Sequence, residues 1–190
     1  PSTDTYSAAV DVATGLDASH NLSPALCLAP DPAGGPDPII LCAYWVANDG
    51  DDEAQIEIAY SRDEGATWGV WARDVLPAAI TINSGSPYYV LGRIRWTFIG
   101  SQAVMSVHVT SSASVSSEKE HVYQYGSADY GASWTLIGTL RGYGFPDIVT
   151  VGSIAYLVAM SAVSSPMIYI WPVRSAFVSI TGLTPTDLFG

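Results

Sequence analysis

Basic residues are scarce in this chain. Among 190 residues there are 7 lysines and arginines against 18 acidic residues, the formal net charge is −11, and Lys119 is the single lysine. A surface of this sign repels polyanions, and the sequence has no basic cluster that would release counterions from phosphates. The composition therefore argues against nucleic acid and anionic membranes as partners.

Long apolar runs are also missing. Polar residues and glycine interrupt the most apolar stretch, residues 148–163, so it falls short of the about 20 residues that span a bilayer. We therefore predict no membrane insertion. Hydrophobic residues still make up 48% of the chain, which is enough for a compact core, and we expect a single domain over residues 1–190.

Cysteine is limited to Cys27 and Cys42, which lie in apolar runs on either side of residues 31–38. A hairpin that is symmetric about Gly34 and Gly35 would place the two sulfurs opposite each other on adjacent strands. A disulfide closing that loop would contribute roughly 3 kcal/mol and would indicate an oxidising compartment. Two buried free thiols that pack as small hydrophobes are the alternative, and the sequence leaves both open.

One eight-residue pattern occurs twice. Residues 61–68 and 127–134 share Ser-x-Asp-x-Gly-Ala-[Thr/Ser]-Trp. The aspartate can accept hydrogen bonds from amides of its own turn, the glycine permits a positive φ, and the indole would cover the base of the hairpin. The residues given this structural role are Ser61, Asp63, Gly65, Trp68, Ser127, Asp129, Gly131 and Trp134.

A second landmark repeats at the same distance. Gly34 precedes Asp63 by 29 positions, and Gly100 precedes Asp129 by 29 positions as well. Each unit therefore contains a tight hairpin, a third strand and an aspartate turn into a fourth strand. A third glycine turn, at Gly152, begins a unit without a matching aspartate turn. The predicted units are residues 22–76, 88–140 and 145–181.

The repeated pattern resembles the Asp-box, or bacterial neuraminidase repeat, of sialidases and other β-propellers. This resemblance implies an all-β fold of about three four-stranded antiparallel blades. Because propellers close with about four to eight blades, we expect other chain segments or other copies to complete the ring. The chain starts at Pro1, and we expect a processed product or a piece of a longer protein. A β-sandwich or jelly roll carrying Asp-box hairpins is the alternative.

In such a repeat the glycine turns and aspartate turns share one end of the sheets, and longer loops lie at the other. Binding residues concentrate on loops that a rigid scaffold displays. Aromatic and charged residues predicted at the loop end suit stacking on sugar rings and hydrogen bonding to hydroxyl groups. They are Tyr88, Tyr89, Arg141, Tyr143, Phe145 and Asp147. Local packing around prolines is the alternative role for the aromatic ones.

Arg93 and Arg95 lie two apart on a predicted first strand, so both would face the same side. Sialidases hold the substrate carboxylate with three arginines and cleave with an aspartate and a tyrosine–glutamate pair. Residues 92–95 resemble the arginine motif only in part, and no tyrosine–glutamate pair can be nominated. We therefore predict Arg93 and Arg95 as ligand-binding residues and name no catalytic residue.

An acidic run offers a weak calcium candidate formed by Asp49, Asp51 and Asp52. These residues have the oxygen density that calcium prefers, but the run lacks the full twelve-residue loop with its terminal glutamate. A solvated loop is the favoured interpretation. We therefore predict no metal and no cofactor.

Together these features predict a non-catalytic β-propeller module, extracellular or on a virion surface, that binds glycans or protein partners through its long-loop end. The low lysine content and acidic charge suit that setting. One alternative is a fragment of a sialidase-like glycoside hydrolase whose missing blades hold the other catalytic residues. Another is a structural subunit, a homo-oligomer or part of a larger assembly, whose open sheet edges form the assembly surface.

Overall fold

A computed structural model describes residues 12, 22–47, 52–82, 89–111, 119–152, 154–161, 168–173 and 186–187. Within these ranges the regular structure consists of β-strands, and helix is absent. All pairing between these strands is antiparallel, which confirms the all-β prediction. Nothing in this part of the chain is a helix able to cross a membrane.

The strands form three sheets. Sheet 1 contains β1 (Leu22–Ala29), β2 (Ile39–Ala47), β3 (Glu53–Ser61) and β4 (Gly69–Ala72), and the short β5 (Ile80–Thr81) also pairs with β3. Sheet 2 contains β6 (Tyr89–Ile99), β7 (Gln102–Ser111), β8 (Glu120–Ser127) and β9 (Thr135–Arg141). Sheet 3 contains β10 (Tyr143–Val151), β11 (Ile154–Ser161), β12 (Ile168–Val173) and β13 (Thr186–Asp187). Strands that follow each other in the sequence are neighbours in each four-stranded path, so all three sheets are meanders.

Two strand predictions are wrong in detail. The alternation of apolar residues predicts the fourth strand of the first unit over residues 70–75. In the structure this strand ends at Ala72, because Asp74 adopts a φ of +50° and breaks the extended backbone. The segment from Arg141 to Asp147, predicted as a loop, is a strand from Tyr143 onward. Gly142, with a φ of +77°, turns the chain directly from β9 into β10. The sequence pattern also predicts a fourth strand of the third unit over residues 176–180, which lie outside the described residues.

The first aspartate turn is held by its own side chains. Asp63 Oδ1 accepts hydrogen bonds from Thr67 N at 2.8 Å and from Ser61 Oγ at 2.8 Å. Ser61 Oγ in turn accepts from Gly65 N at 2.8 Å, and the Trp68 indole donates to Gly65 O at 3.0 Å. Gly65 has a φ of +89°, a conformation that glycine adopts without steric cost.

The second aspartate turn repeats these bonds. Asp129 Oδ1 accepts from Ser133 N at 2.9 Å and from Ser127 Oγ at 2.7 Å. Ser127 Oγ accepts from Gly131 N at 2.9 Å, and the Trp134 indole donates to Gly131 O at 2.9 Å. The two copies therefore have one geometry, as their shared sequence predicts.

The tight hairpins and the aspartate turns lie at the same end of the sheets. In sheet 1, Arg62 of the aspartate turn pairs with Asp31 of the β1–β2 loop at 3.1 Å. In sheet 2, Tyr130 N donates to Ser101 O at 3.0 Å. The opposite end of the sheets is therefore the one that lacks these tight turns.

Sheet 2 lies between sheets 1 and 3, with β6 beside both β1 and β10. One of its faces joins the large core with sheet 1, and Val104 on its other face packs with Leu157 of sheet 3. Indole hydrogen bonds tie sheets 1 and 2 together: Trp45 donates to Gly92 O at 2.9 Å, and Trp96 donates to Ala25 O at 3.0 Å. Because both faces of sheet 2 are covered, β7 is buried along almost its whole length.

The hypothesis of a disulfide is wrong, because Cys27 and Cys42 are both free. Nine residues separate Ala29 from its partner Ile39, so Cys27 pairs with Leu41, whereas Cys42 pairs with Leu26. Neighbouring positions along a strand point to opposite faces, and the two sulfurs therefore lie on different faces of sheet 1. Burial raises the pKa of Cys27 to about 11 and also raises that of Cys42.

We expect thiol titration of the unfolded chain, without reductant, to detect both cysteines. The folded chain should react slowly, because burial and the raised pKa values disfavour the thiolate. Reductant should leave the Tm unchanged. A Tm that falls on reduction, or fewer than two titratable thiols after unfolding, would contradict the register of β1 and β2.

The aspartate turns should also make stability depend on pH. Hydrogen bonds from Thr67 and Ser61 lower the pKa of Asp63 from 3.8 to about 2. For Asp129, partial burial raises the pKa, but hydrogen bonds from Ser133 and Ser127 outweigh it, so the pKa is lowered as well. A depressed folded-state pKa contributes stability above the unfolded value that is lost as pH falls through the folded value.

The double variant Asp63→Asn/Asp129→Asn should therefore have a lower Tm than the wild type above about pH 4, and this gap should shrink toward pH 2. Asp37→Asn, on the exposed β1–β2 loop, is the matched control. Thermal unfolding followed by circular dichroism measures the gap. A gap that stays constant over this pH range would show that the carboxylates do not act as described.

Candidate ligand-binding site

Four of the predicted ligand-binding residues meet where the first strands of sheets 2 and 3 lie side by side. Arg93 and Arg95 come from β6, and Phe145 and Asp147 come from β10. Arg95 Nε lies 3.6 Å from Asp147 Oδ1, and Arg93 Cζ lies 5.8 Å from the centre of the Phe145 ring. The contact between β6 and β10 therefore joins two guanidinium groups, a carboxylate and an aromatic ring.

Both strands are irregular at this point. The pairing of β6 with β7 shifts between Leu91 and Ile94, and the pairing of β10 with β11 shifts between Gly144 and Asp147. Such bulges redirect side chains and are common beside functional sites. Phe145 lies in the second bulge with a φ of +52° and 56% of its surface exposed. A bulky residue in that backbone conformation destabilises the fold by about 1–3 kcal/mol. At Phe145 this conformation keeps an apolar ring exposed to solvent.

A histidine and a glutamate lie behind the aromatic ring. His108 Nε2 is hydrogen-bonded to Glu120 Oε2, which also accepts from Thr110 Oγ1 at 3.0 Å. The imidazole is buried, and its centre lies 5.7 Å from that of the Phe145 ring. We call the group Arg93, Arg95, His108, Glu120, Phe145 and Asp147 the bulge site.

Glycine at two positions leaves room for the His108 imidazole. A Cβ on Gly92 would lie 2.6 Å from His108 Nδ1 and 2.8 Å from the His108 carbonyl oxygen. A Cβ on Gly144 would lie 3.1 Å from His108 Nε2 and 3.4 Å from Glu120 Oε2. The two bulged strands therefore approach His108 so closely that glycine is the residue that fits.

The internal repeat shows how unusual this histidine is. Tyr60 and Gly126 each precede an aspartate turn, and their partners on the second strands are Leu41 and Val104, so these two partners are equivalent. From these two equivalent positions, the other residues of the second and third strands of sheet 1 can be matched with those of sheet 2. Three positions that are apolar and fully buried in sheet 1, where they face sheet 2, are polar in sheet 2, where they face sheet 3. The matched pairs are Trp45 with His108, Ala54 with Glu120 and Ile58 with Gln124.

The polar layer costs stability. Gln124 is fully buried, and its Nε2 donates to Ser106 Oγ. Among the described residues, Gln124 Oε1 has no hydrogen-bond partner, and an unsatisfied buried acceptor costs about 1–3 kcal/mol. The equivalent layer between sheets 1 and 2 has the apolar Ile58 at this position.

The other predicted residues lie elsewhere. Tyr143 packs edge-on against Tyr169, with ring centres 5.4 Å apart, and burial and then the nearby Tyr169 raise its pKa. Arg141 is exposed at the end of β9, and Tyr89 begins β6 and pairs with Ser111. Tyr88, Asp49 and Asp51 fall outside the described residues. Asp52 is exposed, and within the described ranges no three histidine, cysteine or acidic side chains are grouped so as to hold a metal.

A cavity of about 230 Å³ between sheets 1 and 2 is a competing location. Pro77, Ile80, Tyr123, Tyr125 and Leu136 are among its lining residues, and none of the residues that line it is charged. It therefore lacks the ionic groups that would orient a polar ligand. The bulge site carries such groups next to an exposed ring.

Comparisons with known proteins add information on the fold. No protein-family model and no curated protein matches the chain. A protein of unknown function from Dyadobacter fermentans is similar in structure, with a TM-score of 0.54 and 11% identity over 85% of this chain and 40% of that chain. The chain thus spans about two fifths of that protein's length.

Two structures of Trypanosoma rangeli sialidase are weakly similar. One has a TM-score of 0.41 and 10% identity, and covers 88% of this chain and 38% of the sialidase. The other, in complex with sialic acid, has a TM-score of 0.34 and 10% identity over 82% and 37% of the two chains. At these scores the sialidase similarity carries no argument about function. The strands and their pairing define an all-β protein of antiparallel sheets.

Substitution of the two glycines tests the bulge site. Gly144→Ala and Gly92→Ala should each destabilise the chain by about 1–3 kcal/mol, because the added methyl group meets His108. A Cβ at Gly144 would meet only side-chain atoms, so adding His108→Ala should restore part of the stability that Gly144→Ala loses. The contact of Gly92 with the His108 carbonyl should remain in that background. Urea unfolding of the single and double variants measures how much stability His108→Ala restores to each glycine variant. If it restored the same amount to Gly92→Ala and to Gly144→Ala, this geometry would be contradicted.

Proposed function

We propose that the chain is a non-catalytic, Asp-box β-propeller module that binds glycans at the bulge site. The observation that carries this proposal is the exposed Phe145 ring, held in a strained backbone conformation between Arg93 and the paired Arg95 and Asp147. Stacking of a sugar's apolar face on an aromatic ring, with charged groups positioned for its hydroxyls, is a common form of carbohydrate recognition.

The charged groups beside the ring are suited to exchange partners. Arg95 and Asp147 are 38% and 64% exposed in their side chains, and an ion pair in solvent contributes little, about 0–1 kcal/mol. Sugar hydroxyls can therefore replace this contact at small cost. The shallow, exposed arrangement favours a chain end or a single residue of a glycan over a deeply enclosed substrate.

The acid–base groups of the bulge site support a binding role rather than catalysis. His108 and Glu120 are hydrogen-bonded to each other, and the imidazole is buried beside Phe145. A general acid or base must reach the proton that it transfers. We therefore assign His108 and Glu120 to positioning the bulged strands. Acidic charge and a single lysine support an extracellular or virion-surface setting.

A glycan array probed with the labelled chain tests this proposal. Wild type should bind a defined set of glycans. Phe145→Ala and Arg93→Ala should each weaken that binding about 10-fold, since loss of a stacking or charged contact costs about 1.4 kcal/mol. Two matched controls should bind as wild type does: Leu136→Ala, which alters the competing cavity, and Arg73→Ala, which removes an exposed arginine directly after β4.

The outcomes separate the alternatives. An array without any bound glycan would overturn the proposed ligand class. Loss of binding in Leu136→Ala, with Phe145→Ala unaffected, would move the site to the cavity between sheets 1 and 2. Turnover of a fluorogenic sialoside by the wild-type chain would overturn the non-catalytic assignment in favour of a glycoside hydrolase.

A further inference from the structure

The connection from sheet 1 to sheet 2 is much longer than the connection from sheet 2 to sheet 3. Gly142 alone joins β9 to β10, whereas residues 73–88 join β4 to β6. Within this longer connection, residues 77–81 line the cavity of about 230 Å³ between sheets 1 and 2. The other lining residues belong to sheet 2, and they are Tyr123, Tyr125 and Leu136. The additional residues of the first connection therefore build part of the cavity.

Hydrogen bonds to β3 fix the position of this connection. The Gln55 side chain binds the backbone of Leu76 twice, since Nε2 donates to Leu76 O at 3.2 Å and Oε1 accepts from Leu76 N at 3.0 Å. Val75 N donates to Ile56 O at 3.0 Å, and β5 pairs with β3. Val75 and Leu76 are buried. The cavity is therefore formed in advance, and a ligand need not order this part of the chain in order to bind.

Tyr125 gives the cavity a buried polar group that lacks a partner. This residue is 4% exposed, and within the described ranges of the chain its hydroxyl makes no hydrogen bond. A buried tyrosine hydroxyl usually finds a partner, and leaving it unpaired costs about 1–3 kcal/mol. Burial raises the pKa of Tyr125, so the hydroxyl keeps its proton. It is therefore available to donate a hydrogen bond to an acceptor atom in the cavity.

The size and lining of the cavity define the kind of ligand that it can take. An apolar cavity of about 150 Å³ can hold benzene, so a volume of about 230 Å³ suits one aromatic ring with a short substituent. None of the lining residues is charged. A charged ligand would therefore lose its hydration without gaining an ionic partner, and the cavity favours an uncharged one.

We propose that this cavity is a second binding site, which takes a small uncharged aromatic compound that carries an oxygen acceptor. The ring of the ligand packs on the apolar lining, and its acceptor receives a hydrogen bond from the Tyr125 hydroxyl. The cavity lies between sheets 1 and 2, whereas the bulge site lies where sheets 2 and 3 meet. The proposal is therefore independent of the ligand at the bulge site.

Acetophenone is a suitable probe, because it combines one aromatic ring with a carbonyl acceptor. In an NMR titration of the full chain, the side-chain signals of Ile80, Tyr125 and Leu136 should shift and saturate at about millimolar acetophenone or below, as expected for so small a ligand. The signals of Phe145 should not move. Benzoate has a similar size but carries a charge, and it should cause no such shifts.

Three variants test the two parts of the proposed recognition. Tyr125→Phe should weaken acetophenone binding about 2- to 10-fold, the effect of one lost hydrogen bond, but should not weaken binding of cumene, which has a ring of similar size and no acceptor. Leu136→Trp should abolish binding of both compounds, because the larger side chain fills the cavity. Val70→Trp, at the equivalent exposed position of sheet 1, is the matched control and should bind as wild type does. Circular dichroism verifies that the variants fold.

Several results would overturn this second site. Absence of shifts with both acetophenone and cumene would show that the cavity takes no such ligand, and shifts centred on Phe145 would place the ring compound at the bulge site. Benzoate binding as tight as that of acetophenone would contradict the selection for an uncharged ligand. Equal loss of acetophenone and cumene binding in Tyr125→Phe would contradict the role of the hydroxyl. None of these results bears on glycan binding, because the probes contain no sugar.

Discussion

The arrangement depends on one constraint, which is that a sheet with two apolar faces must be covered on both. Sheet 2 meets this requirement by lying between sheets 1 and 3, and the indoles of Trp45 and Trp96 fix its position by donating to backbone carbonyls across the layer. The same stacking brings the bulged parts of β6 and β10 together, which places Arg93 beside Phe145. The candidate site is therefore a consequence of this packing.

Much of the local structure follows from the sequence. The aspartate turns have short-range causes, because serine, aspartate and glycine at fixed spacing form the same bonds wherever they occur. The equal distance from each glycine turn to the next aspartate turn predicts a shared end for both, which the Arg62–Asp31 pair and the Tyr130–Ser101 bond bear out. Pairing register is less accessible. The hairpin between β1 and β2 is off by one residue from the symmetric expectation, and one residue moves a side chain to the other face, which separates Cys27 from Cys42.

The bulge site is only partly visible in the sequence. Arg93, Arg95, Phe145 and Asp147 can be named from residue type, but the segment that holds Phe145 is a bulged strand rather than a loop. Gly144 and Pro146, which suggest a turn, instead lie within that strand. His108 and Glu120 have no spacing that singles them out. The two residues stand out only when units 1 and 2 are matched strand by strand. The number of positions between equivalent residues differs for the second and the third strands, so one alignment of the whole units does not show that His108 and Glu120 replace Trp45 and Ala54.

Amide and indole hydrogen exchange measured by NMR tests the stacking most directly. If sheets 1 and 2 are joined as described, the indole N–H groups of Trp45 and Trp96 should exchange far more slowly than that of Trp68, which donates to Gly65 O within its own aspartate turn. Their protection should approach that of the amides of β7, since both require separation of the sheets. Rapid exchange of the Trp45 and Trp96 indoles in a folded chain would contradict the packing on which the candidate site depends.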